Sequence, residues 1–228
     1  MFMKKVTPAD LGNVAGLTPN AQGVDREVYF GNYRVAKKGK HQRGVEANVR
    51  EAEIFTNAST RLKQFLPNTY MTKQNILSQE LLGVGDSDEL TNAIVKTFPK
   101  YSSIILSLPQ YQSEKNMAKR FNILWTPLWM LLVFMKRQQL KGIKDDTLIR
   151  KTFNRRLETF RHEFGQDLTF LSNVSLDISE ARCLMELPLE TLVDIHANNI
   201  GWCLTNHNLK FLDFAGSTGN WGFLDDLP

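Results

Sequence analysis

The stretch Leu192–Gly216, LVDIHANNIGWCLTNHNLKFLDFAG, decides how the rest of the chain is read. Its apolar runs Ile200–Leu204 and Leu209–Phe214 flank Thr205–Asn208, where Asn206, His207 and Asn208 are turn formers. Two apolar runs separated by such a turn predict a β-hairpin. The segment before it, read as a loop, carries Asp194, His196 and Asn199, and Asp213 lies at the end of the second run. Reversal of the chain would bring Asp213 back toward Asn199. Two carboxylates and an amide then converge at one end of a short ribbon.

Oxygen donors of this kind suit phosphoryl transfer. That chemistry needs a carboxylate beside the attacking hydroxyl and hard oxygen ligands for a magnesium ion that bridges phosphates. Taken alone, the same residues also fit a polar hairpin whose Asn and Asp side chains only form turns.

Composition sets the frame. The 228 residues, 42% of them hydrophobic, suffice for one sizeable core or two small units sharing a cleft. A charged fraction of 23% excludes a disordered tail, and a net charge of +4 is compatible with a nucleotide or another acidic partner. Cys183 and Cys203 are the only cysteines, too few for a disulfide framework or a Cys-based zinc site, so a reducing cytoplasm is the expected compartment. The N-terminal residues lack the apolar run of a signal peptide. The longest apolar run, Phe121–Met135, is broken by Asn122, Thr126 and Pro127. It is shorter than the roughly 20 residues of a membrane span and predicts a buried helix.

Upstream, Glu27–Phe30 and Tyr33–Lys37 predict two short strands joined at Gly31-Asn32. A helix is expected over Gly44–Thr56, with Val45, Val49, Ala52 and Phe55 as its apolar side and with Glu51 and Glu53 within it. Arg61–Pro67 closes this unit, Thr69–Leu82 reads as strands, and Glu80–Gly85 is a connector broken by Gly83 and Gly85. From Ser87 onward the pattern is helical. One helix stops at Pro99, a longer one over Ser113–Leu140 is expected to kink or divide at Pro127, and a third follows the Asp145/Asp146 cap. The third has the stripe Ile149, Phe153, Leu157, Phe160, Phe164, opposite a basic face of Arg150, Lys151, Arg155, Arg156 and Arg161. A fourth helix is expected at about Ser179–Leu187. His162 and Glu163 show no metal signature and read as structural.

With these residues in order, the chain resembles the protein-kinase-like superfamily. The spacing D-x-H-x-x-N from Asp194 to Asn199, the hairpin and Leu212-Asp213-Phe214 are similar to its catalytic and metal-binding loops. The closest branch includes aminoglycoside and choline kinases and minimal kinases of phage and bacterial-effector type. Val35-Ala36-Lys37 resembles the strand lysine that contacts the α- and β-phosphates. N-x-x-E-x-x-I-F, from Asn48 to Phe55, resembles the helix carrying its glutamate partner.

The resemblance implies an α+β, two-lobed fold: a lead-in and small β-rich N-lobe over 1–82, and a mainly helical, truncated C-lobe over 83–228 with the hairpin at 192–216. It implies a kinase using ATP and Mg2+ to phosphorylate a hydroxyl of a protein substrate, which includes proteins of a host cell. Asp194 would orient or deprotonate the acceptor, and Asn199 and Asp213 would hold the metal. Lys37 would neutralise the non-transferred phosphates, and Glu51 would position Lys37, with Glu53 open as the alternative. Backbone amides near Gly23 would face phosphate, and the connector at Glu80 and Leu82 would face the adenine edge.

The chain departs from the pattern in three places. Gly12, Gly16 and Gly23 are scattered, with no G-x-G-x-x-G. His196 stands where protein kinases usually have lysine. The 15 residues after Asp213 leave no room for an A-P-E segment. Three other functions therefore stay open: a small-molecule kinase, a nucleotidyltransferase, and a non-catalytic pseudokinase or basic module that binds a host factor or nucleic acid. No membrane association is expected.

Overall fold

The computed structural model describes residues 14, 17–72, 75–158, 167–195 and 199–215. Within them the chain is mixed α and β, with two antiparallel sheets. The first contains β1 (Ala21–Gln22), β2 (Arg26–Phe30), β3 (Arg34–Gly39), β4 (Thr69–Met71) and β5 (Leu77–Glu80), in the order β1-β2-β3-β5-β4. The expected β2–β3 hairpin is present and is closed by Gly31 N–H donating to the Arg34 carbonyl at 2.7 Å. Its register sets Tyr29 opposite Ala36 and Val28 opposite Lys37. Because side chains alternate across a sheet, Ala36 and Tyr29 face a small core with Val14 and Ile76, while Lys37 faces the other way.

That other side is covered by α1 (Gln42–Asn57), and the stripe it buries there is Gly44, Asn48 and Glu51. The apolar side expected for this helix is only partly used: Val49 is exposed, whereas Ile54 and Phe55 pack against the larger core. Gly44 is needed for the close approach, because a Cβ there would lie 2.1 Å from the Asp25 carbonyl oxygen. Helix α2 (Thr60–Lys63), capped by Ser59, then leads to β4.

The chain crosses from the first sheet to the second at Glu80–Leu82. Leu81 N–H donates to the Tyr33 carbonyl at 2.9 Å, and the next strand is β6 (Leu82–Gly83), which pairs with β7 (Ile200–Cys203). Strand β8 (Leu209–Phe211) completes this sheet. Gly83 lies against Trp202, where a Cβ would meet the indole at 2.1 Å. The second strand of the hairpin is shorter than the expected Leu209–Phe214, because Leu212 leaves the ladder to bond with Asn199 and Lys37.

The helical part begins with α3 (Ser87–Thr97), whose first turn is capped by the Asp86 carboxylate accepting from Asp88 and Glu89 N–H. Pro99 and Pro109 open two helices absent from the sequence-based expectation, α4 (Pro99–Leu106) and α5 (Pro109–Ser113). Proline is well placed at a first helical position, where its missing donor costs nothing. The long α6 (Met117–Leu140) contains Pro127 without being divided. α7 (Asp146–Arg155) buries Ile149 and Phe153 as expected, with Leu157 buried just beyond it, and Phe160, Arg161 and Phe164 lie outside the described residues. Of the basic face, Arg150 is turned inward and donates to the Leu176 carbonyl at 2.5 Å.

The fourth expected helix is not an α-helix. It is a 3₁₀ turn at Arg182–Glu186, halted before Pro188, and the α-helix follows instead as α8 (Leu189–Asp194). Asp194 thus ends a helix rather than lying in a loop. The larger core joins these helices to the second sheet around stacked rings: Phe65 lies 5.4 Å from Phe98 and 6.1 Å from Phe211. No helix among the described residues is long and apolar enough to cross a membrane.

Candidate functional site

Lys37 on β3 points across to α1, where Glu51 is completely buried. Its ammonium lies 3.2 Å and 3.1 Å from the two Glu51 carboxylate oxygens and donates to the Leu212 carbonyl at 3.0 Å. Gln79 on β5 donates its amide N–H to Glu51 Oε2 at 2.6 Å. Asn48, one turn before Glu51, donates to the Lys37 carbonyl at 2.8 Å and fixes α1 on β3. A buried carboxylate is tolerated only when paired and hydrogen-bonded, and this one has two cations and an amide around it. Glu53 is exposed on α1, so the choice between the two glutamates as partner of Lys37 falls to Glu51.

The second cation is Arg26 on β2. One of its terminal nitrogens bonds Glu51 Oε1 and the other lies 2.5 Å from Asp213 Oδ2. The Lys37 and Arg26 side chains are each 11% exposed, whereas that of Asp213 is 41% exposed, so the cluster opens to solvent on the aspartate side. Its formal charges cancel. Complete burial pushes the Glu51 carboxyl up, against the pull of Lys37 and Arg26, and the neighbouring Asp213 carboxylate adds to the rise. Burial acts on Asp213 in the same direction, but there the Lys37 and Arg26 cations prevail and hold its carboxyl well below the usual range.

At the end of the hairpin, Leu212 N–H donates to the Asn199 carbonyl at 2.8 Å, so the chain reversal does bring the segment before Asp213 to Asn199. The Asn199 Nδ2 donates to the Asp194 carbonyl at 2.8 Å. This bond turns the amide so that Oδ1 is the atom available to a cation. Asn199 and Asp213 supply hard oxygen donors of the type Mg2+ prefers, and that ion normally keeps waters or phosphate oxygens as its other ligands. These residues fit the ion on donor chemistry. Among the described residues no group of three or more His, Cys, Asp or Glu is arranged to hold a metal, so such a site would lean on ligands from outside the chain. His196 lies outside the described residues.

The remaining candidates, Glu80, Leu82 and Gly23, also make contacts within the fold. The Glu80 side chain reaches Lys210 Nζ at 3.1 Å and accepts from Asn68 N–H at 3.2 Å, and its own N–H donates to the Asn68 carbonyl. Leu82 is buried in β6 opposite Cys203. Gly23 N–H donates to the Arg26 carbonyl at 2.9 Å, and its carbonyl accepts from Lys40 Nζ at 2.7 Å. The sequence pattern assigns no role to Arg26 or Gln79, and Asn48 enters it only as the start of the glutamate motif. For Arg26 a signal existed: with Val28 opposite Lys37, a residue two places before Val28 shares the face of Lys37.

No family model matches the chain, and no curated protein matches it.

Proposed function

We propose that the chain is a small kinase of two-lobed, protein-kinase-like architecture that transfers the γ-phosphate of ATP, with Mg2+, to a hydroxyl of a protein substrate. The observation that carries this reading is the Lys37–Glu51 pair, bonded through Lys37 to the carbonyl next to Asp213. A strand lysine, a helix glutamate and an aspartate after a hairpin are far apart in sequence and meet in one cluster. The order of elements also supports the reading: a first sheet carrying Lys37, a crossing at Glu80–Leu82, then helices and the second hairpin.

In this reading Lys37 neutralises phosphate charge, and Glu51, itself held by Gln79, keeps the ammonium in place. Asn199 and Asp213 would hold the metal through their oxygens, and the ion would supply positive charge beside the phosphates. Asp194, at the end of α8, orients the acceptor hydroxyl and receives its proton. Catalysis then rests on positioning and electrostatics, which are the main contributions a protein makes to phosphoryl transfer.

Incubation with Mg2+ and γ-labelled ATP tests the proposal. Label should appear on protein with the native chain and disappear with Asp194→Ala and Asp213→Ala. Absence of nucleotide binding and of transfer by the native chain would end it, and transfer from an α-label would point to nucleotidylation. One observation favours a second reading, nucleotide binding without transfer: Arg26 already occupies one oxygen of Asp213.

A further inference from the structure

The geometry points to Arg26 as a phosphate-binding residue that exchanges the Asp213 carboxylate for a nucleotide phosphate. The inference rests on the nucleotide-dependent reading above and names a residue that reading does not use.

Three observations lead to it. First, Arg26 directly follows the turn between β1 and β2, the part of the first sheet where phosphate-contacting backbone would be sought. That turn has no spare glycine-rich loop. Gly23 N–H is bonded to the Arg26 carbonyl, Lys40 N–H and Nζ bond the Asp25 and Gly23 carbonyls, and the Asp25 carboxylate faces His41 and Arg43. With its Gly23 amide already bonded and a carboxylate beside it, this turn gains from a cationic side chain, and Arg26 stands at its end.

Second, the two ends of the Arg26 guanidinium are unequally held. One nitrogen is anchored on the wholly buried Glu51, which also has Lys37 and Gln79. The other is on Asp213, the most exposed member of the cluster, its side chain 41% exposed. An arginine presents its donors as a rigid fork, so the Asp213 end can change partner while the Glu51 end stays fixed.

Third, the exchange conserves charge. Arg26, Lys37, Glu51 and Asp213 balance as two cations and two anions. When Asp213 turns its oxygens to a divalent cation, Arg26 is left with an unpaired, mostly desolvated nitrogen. Burying an unpaired charge is costly, and a phosphate oxygen arriving with the cation satisfies it. Arginine bonds to phosphate are charge-assisted and among the stronger hydrogen bonds.

The test measures binding of fluorescent ATP, ADP and AMP analogues to the full chain, with and without Mg2+. The chains compared are the native protein, Arg26→Gln, Arg26→Lys and Asp213→Asn. Arg26→Gln should weaken ATP binding about tenfold or more, the loss expected for a hydrogen bond to a charged group, and should blunt the preference for ATP over AMP. Arg26→Lys should restore part of that preference. Asp213→Asn frees the guanidinium and should tighten ATP binding in the absence of Mg2+. If Arg26→Gln destabilises the fold, the Asp213→Asn measurement decides. Unchanged or tighter ATP binding by a folded Arg26→Gln, or no gain in metal-free binding by Asp213→Asn, overturns the inference and leaves the kinase reading standing. A native chain that binds none of the three nucleotides overturns both.

Discussion

The ammonium of Lys37 bonds the carbonyl of Leu212 at 3.0 Å, although the two residues stand at opposite ends of the chain. The contact ties β3 to the segment that leads into Asp213, so the position of Asp213 depends on a side chain in the other sheet. Lys37→Met removes this tie and one of two cations from buried Glu51, while Arg26 still pairs with it. The expected cost is about 2–3 kcal/mol, in the range for hydrogen bonds to charged groups. Glu51→Ala should cost more, about 3–5 kcal/mol, because it takes the bonded carboxylate from Lys37 and leaves Arg26 with Asp213. Glu53→Ala, at an exposed position, should stay within about 0.5 kcal/mol. Urea unfolding of the three variants gives the order directly, and equal effects at Glu51 and Glu53 would contradict the pairing.

A second prediction concerns the crossing between the sheets. Gly83 has no room for a side chain beside Trp202. Gly83→Ala forces either the indole or β6 to move, and overpacking of this kind costs typically about 1–3 kcal/mol. Thermal unfolding should shift downward, and the tryptophan emission of the folded protein should change with it. A variant with native stability and native emission would show that the strand yields without strain.

Much of this arrangement was legible in the sequence, and what was not has physical reasons. The β2–β3 hairpin, the glutamate helix, α6 and the hairpin after Asp194 follow from alternation, turn residues and helical spacing, which are local. Pro99 reads as a stop because proline ends helices, yet it also starts one, and Pro109 opens another. The stripe of α1 that meets the sheet is polar, Asn48 and Glu51, so an apolar pattern could not locate it. That face is stabilised by hydrogen bonds and charge pairing across β2, β3 and β5, whose partners are defined only once the sheet has formed. Arg26 differs: the hairpin register places it on the face of Lys37, although its pairing with Asp213 depends on the second sheet. The candidate set Lys37, Glu51 and Asp213 converges in space, while Glu80 pairs with Lys210 and Leu82 lies opposite Cys203 in the second sheet.

The acid limb of stability should report on Asp213. Its carboxyl is held low in the folded chain by Lys37 and Arg26, despite burial acting the other way, and the unfolded value is about 3.9. The folded state therefore binds this proton less readily than the unfolded chain. Its contribution is complete above about pH 4 and is lost as pH falls through the folded value. Glu51 has the opposite sign: burial raises it, so its contribution is present below about pH 4.3 and fades as pH rises. Comparing native protein with Asp213→Asn between pH 5 and pH 3 reads the aspartate together with its coupling to Glu51. The native chain should lose more unfolding free energy over that interval, and parallel losses in the two chains would refute the assignment.

The last prediction separates metal ligation from proton handling among residues that stand close together. Asn199 joins the Asp194 carbonyl through Nδ2 and the Leu212 N–H through its own carbonyl, so Asn199→Ala loosens the loop end and removes an oxygen donor at once. Its cost to stability should be about 1 kcal/mol, that of one hydrogen bond. The functional readout is the Mg2+ concentration giving half-maximal phosphate transfer. Asn199→Ala and Asp213→Asn should raise it severalfold or more, because each removes a ligand oxygen. Asp194→Asn should leave the Mg2+ requirement of its residual activity near native while lowering the maximal rate by about 10²-fold or more, as loss of a general base does. A metal requirement that moves equally in all three variants would mean that Asp194 acts through the ion rather than on the acceptor hydroxyl.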